Sequence, residues 1–485
     1  GMRQMPGRKA VVMFSDGFSI HSNSGNSARI VEGLRRLTDL ANRAAVTIYT
    51  VDARGVAVTG LTAADDLTGM TTDEMLGSVS DRSQALFHSQ AGLSYLARQT
   101  GGGFIRNTND LGMAARRALD DMRGYYLIGY RPDPSTFDPE KGRARFHNVS
   151  VKVRRSGTQV SARTGFYGFT EETARPVLRT PVEQIVAALT SPFGATDVPL
   201  KLTSVFMSEG EKQHYVNSLM HIDVSKFKFT DEPDGWRKAV IDVVALTFGE
   251  RANVIDQVSR TETLRVRGET YDYILRHGLL YTMRVPVKKP GAYQLRIAVR
   301  DAASERTGSA SQFIEVPDLS KDRLALSGIV MRGLTPEETG GGGASPSASS
   351  ADGGRSQTTE EDTMSNAAVR QFRSGSTVIY FYQIFNAKLD RAGARPRLQT
   401  QIRLFRDGEE IHAGTPQDFD AAGQTDMKRI QSGARLRLGP NLAPGNYVLQ
   451  VVVTDLLAKG DSRVATQWID FEIVSGESSI VNRQS

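Results

Sequence analysis

Short apolar runs alternate with amphipathic stretches through the first 124 residues. Val11 to Phe14 ends in Ser15-Asp16-Gly17, the pattern of a buried parallel strand followed by a loop. After a polar Ser/Asn/Gly stretch from Ser19 to Ser27, Ile30, Leu34, Leu37 and Ala41 recur at helical spacing. Val46 to Val51 is a second, β-branched strand. The polar stretch Asp52 to Ser83 leads into a helix carrying Leu86, Leu93 and Leu96, which Gly101-Gly102-Gly103 terminates. Phe104-Ile105 gives a third strand. Asn109 or Asp110 then caps a helix bearing Leu111, Ala115, Ala118, Leu119 and Met122. The order β-α-β-α-β-α predicts an open parallel sheet covered by helices.

Beyond Arg123-Gly124 the period falls to two. Tyr125 to Tyr130, Phe146 to Val153 and Gln159 to Ala162 read as strands, with Ser156-Gly157 as a turn. A short helical segment spans Pro181 to Leu189, and Leu200 to Val316 is β throughout by pattern. Residues 335–367, with Gly340 to Gly343 and a Ser/Ala/Pro/Asp mixture, are too polar to offset ordering entropy and are expected to be disordered. Strands resume from Phe372 to Val474. The two β regions share a repeat: Pro290-Gly291-Ala292-Tyr293-Gln294-Leu295 against Pro444-Gly445-Asn446-Tyr447-Val448-Leu449. It continues as Val299-Arg300-Asp301 against Val453-Thr454-Asp455, then Phe313 to Val316 against Phe471 to Val474. Two related sandwiches of immunoglobulin or fibronectin type follow from it.

The fold class expected is therefore multidomain, α/β plus all-β. The divisions are an α/β domain over 1–124, its β extension over 125–170, a helical linker over 171–199 and a first sandwich over 200–317. A linker over 318–370, a second sandwich over 371–476 and a tail over 477–485 complete the chain. Its 485 residues agree with about three domains. Sixty Lys and Arg against 54 Asp and Glu make a mild positive balance with no dense basic tract, so a nucleic-acid partner is not expected. No apolar run approaches the ~18 residues of a membrane span. The absence of cysteine removes disulfide, thiol and Cys-ligated zinc chemistry. The seven histidines are scattered, and His214 and His221 are taken as surface residues. No His-Glu-x-x-His, phosphate-binding loop or complete nucleophile elbow occurs. Trp236, Trp468 and several tyrosines are assigned to core or edge packing, with a binding surface as the alternative. Asp301 and Asp455 are read as turn caps.

Asp16 stands apart, because the carboxyl edge of an open α/β sheet is where ligands bind and a carboxylate there suits a hard cation. A turn-capping role with Gly17 is the competing reading. Gly7 to Gly17 resembles the fourth strand and following loop of a von Willebrand factor type A domain. Ile48 to Gly55, Leu96 to Gly102 and Tyr125 to Tyr130 continue the likeness in order, toward the von Willebrand A-related proteins of acidobacteria. Gly1 to Gly7 runs directly into the strand Val11 to Phe14 with no charged n-region, apolar run or cleavage site, so no signal peptide is expected there. The resemblance implies a partial Rossmann-like domain entered midway. It implies a cation site of Mg²⁺, or Mn²⁺ or Ca²⁺, to which this sequence contributes Asp16 alone. The chain by itself is accordingly expected to bind metal weakly or not at all, and residues 1–124 alone to be partly unfolded or self-associated.

The family further implies a protein partner offering an acidic residue, an extracytoplasmic location, and a role in adhesion or envelope assembly that is not enzymatic. A metal-independent structural module of the periplasm and the accessory domains of an envelope hydrolase remain as alternatives.

Overall fold

In a computed structural model, residues 9–20, 27–63, 65–66, 68–123, 128–130, 146–158, 160–167, 180–191, 193–209, 213–249, 253–334, 365–390 and 395–475 are described. Two compact units are present: Gly1–Leu178 with Thr190–Phe193, and Arg179–Leu189 with Gly194–Ser485. The multidomain α/β plus β-sheet class expected from the sequence is observed.

The first unit runs β1 (Lys9–Ser15), α1 (Ser27–Arg43), β2 (Val46–Asp52), α2 (Thr72–Thr100), β3 (Phe104–Ile105) and α3 (Gly112–Arg123). Its sheet is parallel in the order β1-β2-β3. Every residue of β2 is buried. Ile48, Val46, Leu34, Ala41 and Leu96 pack on one side, and Val51, Ile105 and Ala114 form a second cluster. Gly102 is fixed by space, since a Cβ there would lie 2.0 Å from the Ile48 carbonyl oxygen. A small antiparallel pair, β4 (Phe146–Asn148) and β5 (Gly165–Tyr167), follows.

Several boundaries differ from the sequence reading. The first turns of α2 occupy Thr72 to Ser83, expected to be loop. A capping box between Thr71 and Glu74 nucleates them, and their solvated surface lacks an apolar stripe. Leu37 and Leu119 are exposed, while Thr38 and Ala114 take buried places instead. The strand expected over Tyr125 to Tyr130 falls partly outside the described residues, and 128–130 are not strand. Residues 160–162 are likewise irregular, with β5 lying after them.

The second unit begins with α4 (Pro181–Thr190), which is no mere spacer. The first sandwich contains β6 (Leu200–Glu209), β7 (Gln213–Ile222), β8 (Thr230–Asp231), β9 (Trp236–Phe248) and β10 (Val254–Arg267). It continues with α5 (Gly268–His277), β11 (Leu279–Pro286), β12 (Gly291–Asp301) and β13 (Thr307–Val316). One sheet has the order β10-β9-β12-β13, with β8 beside β9, and the other β11-β7-β6. Phe206, Met220, Ile241, Met283, Leu295 and Ile297 fill the space between them. The helix α5 was absent from the all-β expectation. On the outer face Ile185, Ala188 and Leu189 of α4 cover Val244 and Ala298. Two buried arginines hold the helix: Arg296 donates to the Leu189 carbonyl at 2.6 Å and Arg300 to Gln184 at 2.6 Å. A cation at the carbonyl end of a helix also opposes its dipole favourably.

The second sandwich starts earlier than the sequence indicated. It comprises β14 (Ala325–Leu326), β15 (Val330–Gly333), β16 (Gln371–Arg373), β17 (Thr377–Phe385), β18 (Leu398–Arg406), β19 (Glu409–Ala413), β20 (Gln417–Phe419), β21 (Arg429–Arg437), β22 (Gly445–Asp455) and β23 (Val464–Val474). Because β14 and β15 both pair with β17, residues expected to be linker belong to this sheet, and Leu324, Leu326, Ile329 and Met331 enter its core. The other sheet runs β16-β23-β22-β18-β19. Most of the expected disordered stretch, 335–364, lies outside the described residues, as do 171–179 and the tail from 476.

The repeat is reproduced in three dimensions. Gly291 and Gly445 open β12 and β22 with φ of 144° and 146°. The Tyr293 and Tyr447 hydroxyls each donate to a carbonyl four residues back, at 2.7 Å. Asp301 and Asp455 are buried and accept backbone N–H groups from their own turns and from Lys228 and Lys388 respectively. The turn-cap reading therefore describes both. The closing strands align one residue away from the sequence match, because Ile314 pairs with Tyr293 while Phe471 pairs with Tyr447. Phe313, matched to Phe471 by sequence, is exposed.

The sandwiches share a buried seam. Phe385 of β17 lies in the core of the first sandwich, its ring 6.0 Å from Phe206. Gln383 accepts from the Ser208 amide at 3.2 Å and donates to its carbonyl at 3.4 Å. Val205, Val330 and Phe381 pack together beside them. His214 sits at this seam, sharing a hydrogen bond with Ser208 at 3.0 Å. His221 donates to the His277 carbonyl at 2.7 Å. Neither is the simple surface histidine expected.

Trp236 and Trp468 report the first and second sandwich separately, so single-tryptophan variants can follow each in urea. In the wild type the two transitions are expected to coincide. Phe385→Ala is expected to cost about 3–5 kcal/mol and to separate them. Burial, then the Arg429 charge, depress the His214 pKa. The folded state thus binds its proton less readily than the unfolded chain, where the value is about 6.5. Stability is full above that value and is lost as pH falls through the lower folded one. A urea midpoint that falls below pH 6.5 in the wild type, and less in His214→Gln, is the expected result.

Candidate functional site

The loops leaving β1, β2 and β3 meet at the carboxyl edge of the parallel sheet. Asp16 is exposed there, between Ser15, whose Oγ accepts the Gly17 amide at 3.0 Å, and a tight turn at Gly17. With φ of 95° and a Cβ position only 2.4 Å from the Ser89 carbonyl oxygen, residue 17 requires glycine.

Asp52, at the end of β2, forms the fixed base of this edge. Its side chain is 1% exposed. Arg54 meets it with two nitrogens, at 2.8 and 2.7 Å, and Gln90 of α2 donates to Oδ2 at 2.7 Å. A bidentate guanidinium–carboxylate pair fixes orientation as well as charge. Arg54 also reaches Ser89 at 2.9 Å, and Arg106, after β3, reaches Gln90 at 3.3 Å. The Arg54 hydrogen bonds hold the Asp52 carboxyl below the usual carboxylate range, with Gln90 assisting against the opposing effect of burial. Asp52 in turn raises Arg54, and the charge of Asp16 adds to that.

At this edge the charge of Asp16 acts on Arg54. Among the described residues no group of three or more His, Asp or Glu is placed to hold a metal ion. Asp52 is committed to Arg54 and Gln90, and the guanidinium disfavours a cation nearby. These residues do not fit a divalent cation.

Sequence reasoning located Asp16 but missed Asp52, Arg54 and Gln90. Two signals were present: Asp-x-Arg directly after a buried strand, and a glutamine one turn before Leu93 on the buried side of its helix. The two tryptophans lie elsewhere. Trp236 is half-buried with Arg265 and Arg267 over its ring at 5.2 and 4.8 Å, whereas Trp468 is 61% exposed and so is not core.

No family model matches the chain, and no curated protein matches it. Among solved structures it is similar to a beta-glucuronidase of Bacteroides uniformis, with 11% identity and a TM-score of 0.17 over 24% of this chain and 13% of that one. It is also similar to a Bacteroides fragilis protein described as a beta-galactosidase, with 10% identity and a TM-score of 0.18 over 53% of this chain and 32% of that one. The chain therefore spans only 13% and 32% of the lengths of these neighbours. Both neighbours are named as glycosidases, and the expectation that the chain is not an enzyme is withdrawn; at these TM-scores they assign it neither a reaction nor a fold. No described helix is long and apolar enough to cross a membrane.

Replacing Asp52 with Ala leaves Arg54 and Gln90 without their shared acceptor. The expected loss is about 1–3 kcal/mol, the cost of stranding largely buried polar groups, read by urea unfolding of the full chain. Because the folded Asp52 pKa lies below the unfolded value of about 3.9, its contribution is present above that pH and disappears as pH falls through the folded value. The wild-type advantage over Asp52→Ala is therefore expected to shrink in acid.

Proposed function

We propose that the chain takes part in protein–protein recognition, in adhesion or in assembly at the cell envelope, through an α/β unit of von Willebrand A type. In this reading the carboxyl edge of the sheet meets an extracytoplasmic protein partner. The observation that supports it most is Asp16, exposed beside Arg54 and backed by the buried Asp52–Arg54–Gln90 arrangement. An acid and a base held by packed neighbours can select a partner of complementary charge and set its orientation. Contact with the partner is made by these side chains, without a step through a cation.

Cross-linking of the tagged full chain in the cells that produce it, with the wild type and Asp16→Ala compared, tests this. An envelope protein captured by the wild type, lost with Asp16→Ala and retained with the control Asp407→Ala in the second sandwich, is expected. The same capture by the wild type and Asp16→Ala would overturn the assignment of the edge. A parallel arm with EDTA is expected to leave capture unchanged.

A further inference from the structure

We propose that two copies of the chain associate by antiparallel, edge-to-edge pairing of β10 about a two-fold axis at Thr261. The starting point is a long open edge. With 14 residues, β10 extends roughly 48 Å at about 3.4 Å per residue. Among the described residues it pairs with β9 alone. Its middle residues Ser259, Arg260 and Thr261 are exposed. An edge of this length presents a row of backbone donors and acceptors to a further strand.

The side chains then select the partner. Val258, Leu264 and Val266 face the sandwich core, and Arg260 and Glu262 share that face by alternation. Inward-pointing charges on an edge strand ordinarily prevent pairing. Here the two have opposite sign and stand two residues apart, so a self-pairing centred on either one opposes like charges, and only one centred between them opposes unlike charges.

A two-fold axis normal to the sheet keeps inward residues opposite inward residues, and must therefore lie midway between the two copies of one β10 residue. Placed at Arg260, it would oppose Arg260 to Arg260 of the second copy. At Glu262 it would oppose two glutamates. At Thr261 it sets Arg260 against Glu262 of the second copy, and the reverse, on either side of the axis. The same register puts Val258 against Leu264 of the second copy, and Ser259 against Thr263 of the second copy. Across residues 258–264 apolar, polar and opposite-charge pairs fall together, which is how cross-strand pairs stabilise a sheet. The Tyr281 hydroxyl donates to Glu262 Oε1 at 2.8 Å, which steadies the carboxylate at the edge and leaves Oε2 for the guanidinium.

The inference does not rest on the proposed recognition role. It is tested by sedimentation of the full chain across a concentration series. The wild type is expected to form a reversible dimer. Arg260→Glu and Glu262→Arg should each raise its dissociation constant on the order of tenfold or more, since each sets like charges opposite one another. The doubly exchanged chain, Arg260→Glu with Glu262→Arg, should recover the dimer. Mixing the two single variants should give a heterodimer, because one then carries two acids and the other two bases at the seam. A monomeric wild type, or a dimer that the single reversals leave intact, would overturn the proposal. If a single variant fails to fold, the double exchange decides alone: folded and dimeric supports the pairing, folded and monomeric refutes it.

Discussion

The architecture of the second unit depends on one strand being buried on both faces. In β17 eight of nine residues are buried. Val378, Tyr380, Tyr382 and Ile384 serve the core of the second sandwich, while Phe381, Gln383 and Phe385 turn toward the first. Antiparallel sheets commonly leave one face to water. Covering both here makes the interval between the sandwiches part of the interior, where a polar group must find partners. Gln383 meets that requirement with Ser208 and, through its amide, the Ser327 hydroxyl at 2.8 Å. The two sandwiches are thereby joined in one compact body.

The α/β order, the repeat and the turn caps were legible in the sequence because each has a local cause. Pro-Gly-x-Tyr specifies a turn and a strand start, and an aspartate at the strand end caps the next turn. What was not legible depends on distant residues. Whether Ala325 to Gly333 is linker or strand is decided by pairing with β17, far along the chain. Whether Leu119 or Ala114 faces the core depends on which surface the helix meets. The one-residue displacement between Phe313 and Phe471 could not be seen without the partner strands. The apolar letters matched while their faces did not.

The candidate site divides in the same way. Asp16 was visible because a buried strand ending in Ser-Asp-Gly places it at a predictable edge. Its neighbours were less visible, because Asp52, Arg54 and Gln90 act together only once α2 lies against β2. Finding an arginine where a cation had been anticipated changes the chemistry of the edge. Asp52 is committed to Arg54 and Gln90, so the buried acid of the edge is already neutralised by a side chain of the same chain.

The placement of β14 and β15 ahead of residues 335–364, and of β16 and β17 after them, makes that stretch an excursion that returns to its origin. The Gly333 amide donates to the Ser365 carbonyl at 2.8 Å, so the two ends meet. Closure is a property of the sheet, and the intervening sequence does not create it. The pairing of β14 and β15 with β17 holds the residues on either side of 335–364 together through the sheet alone. A protease acting there would leave two polypeptides still assembled into one body.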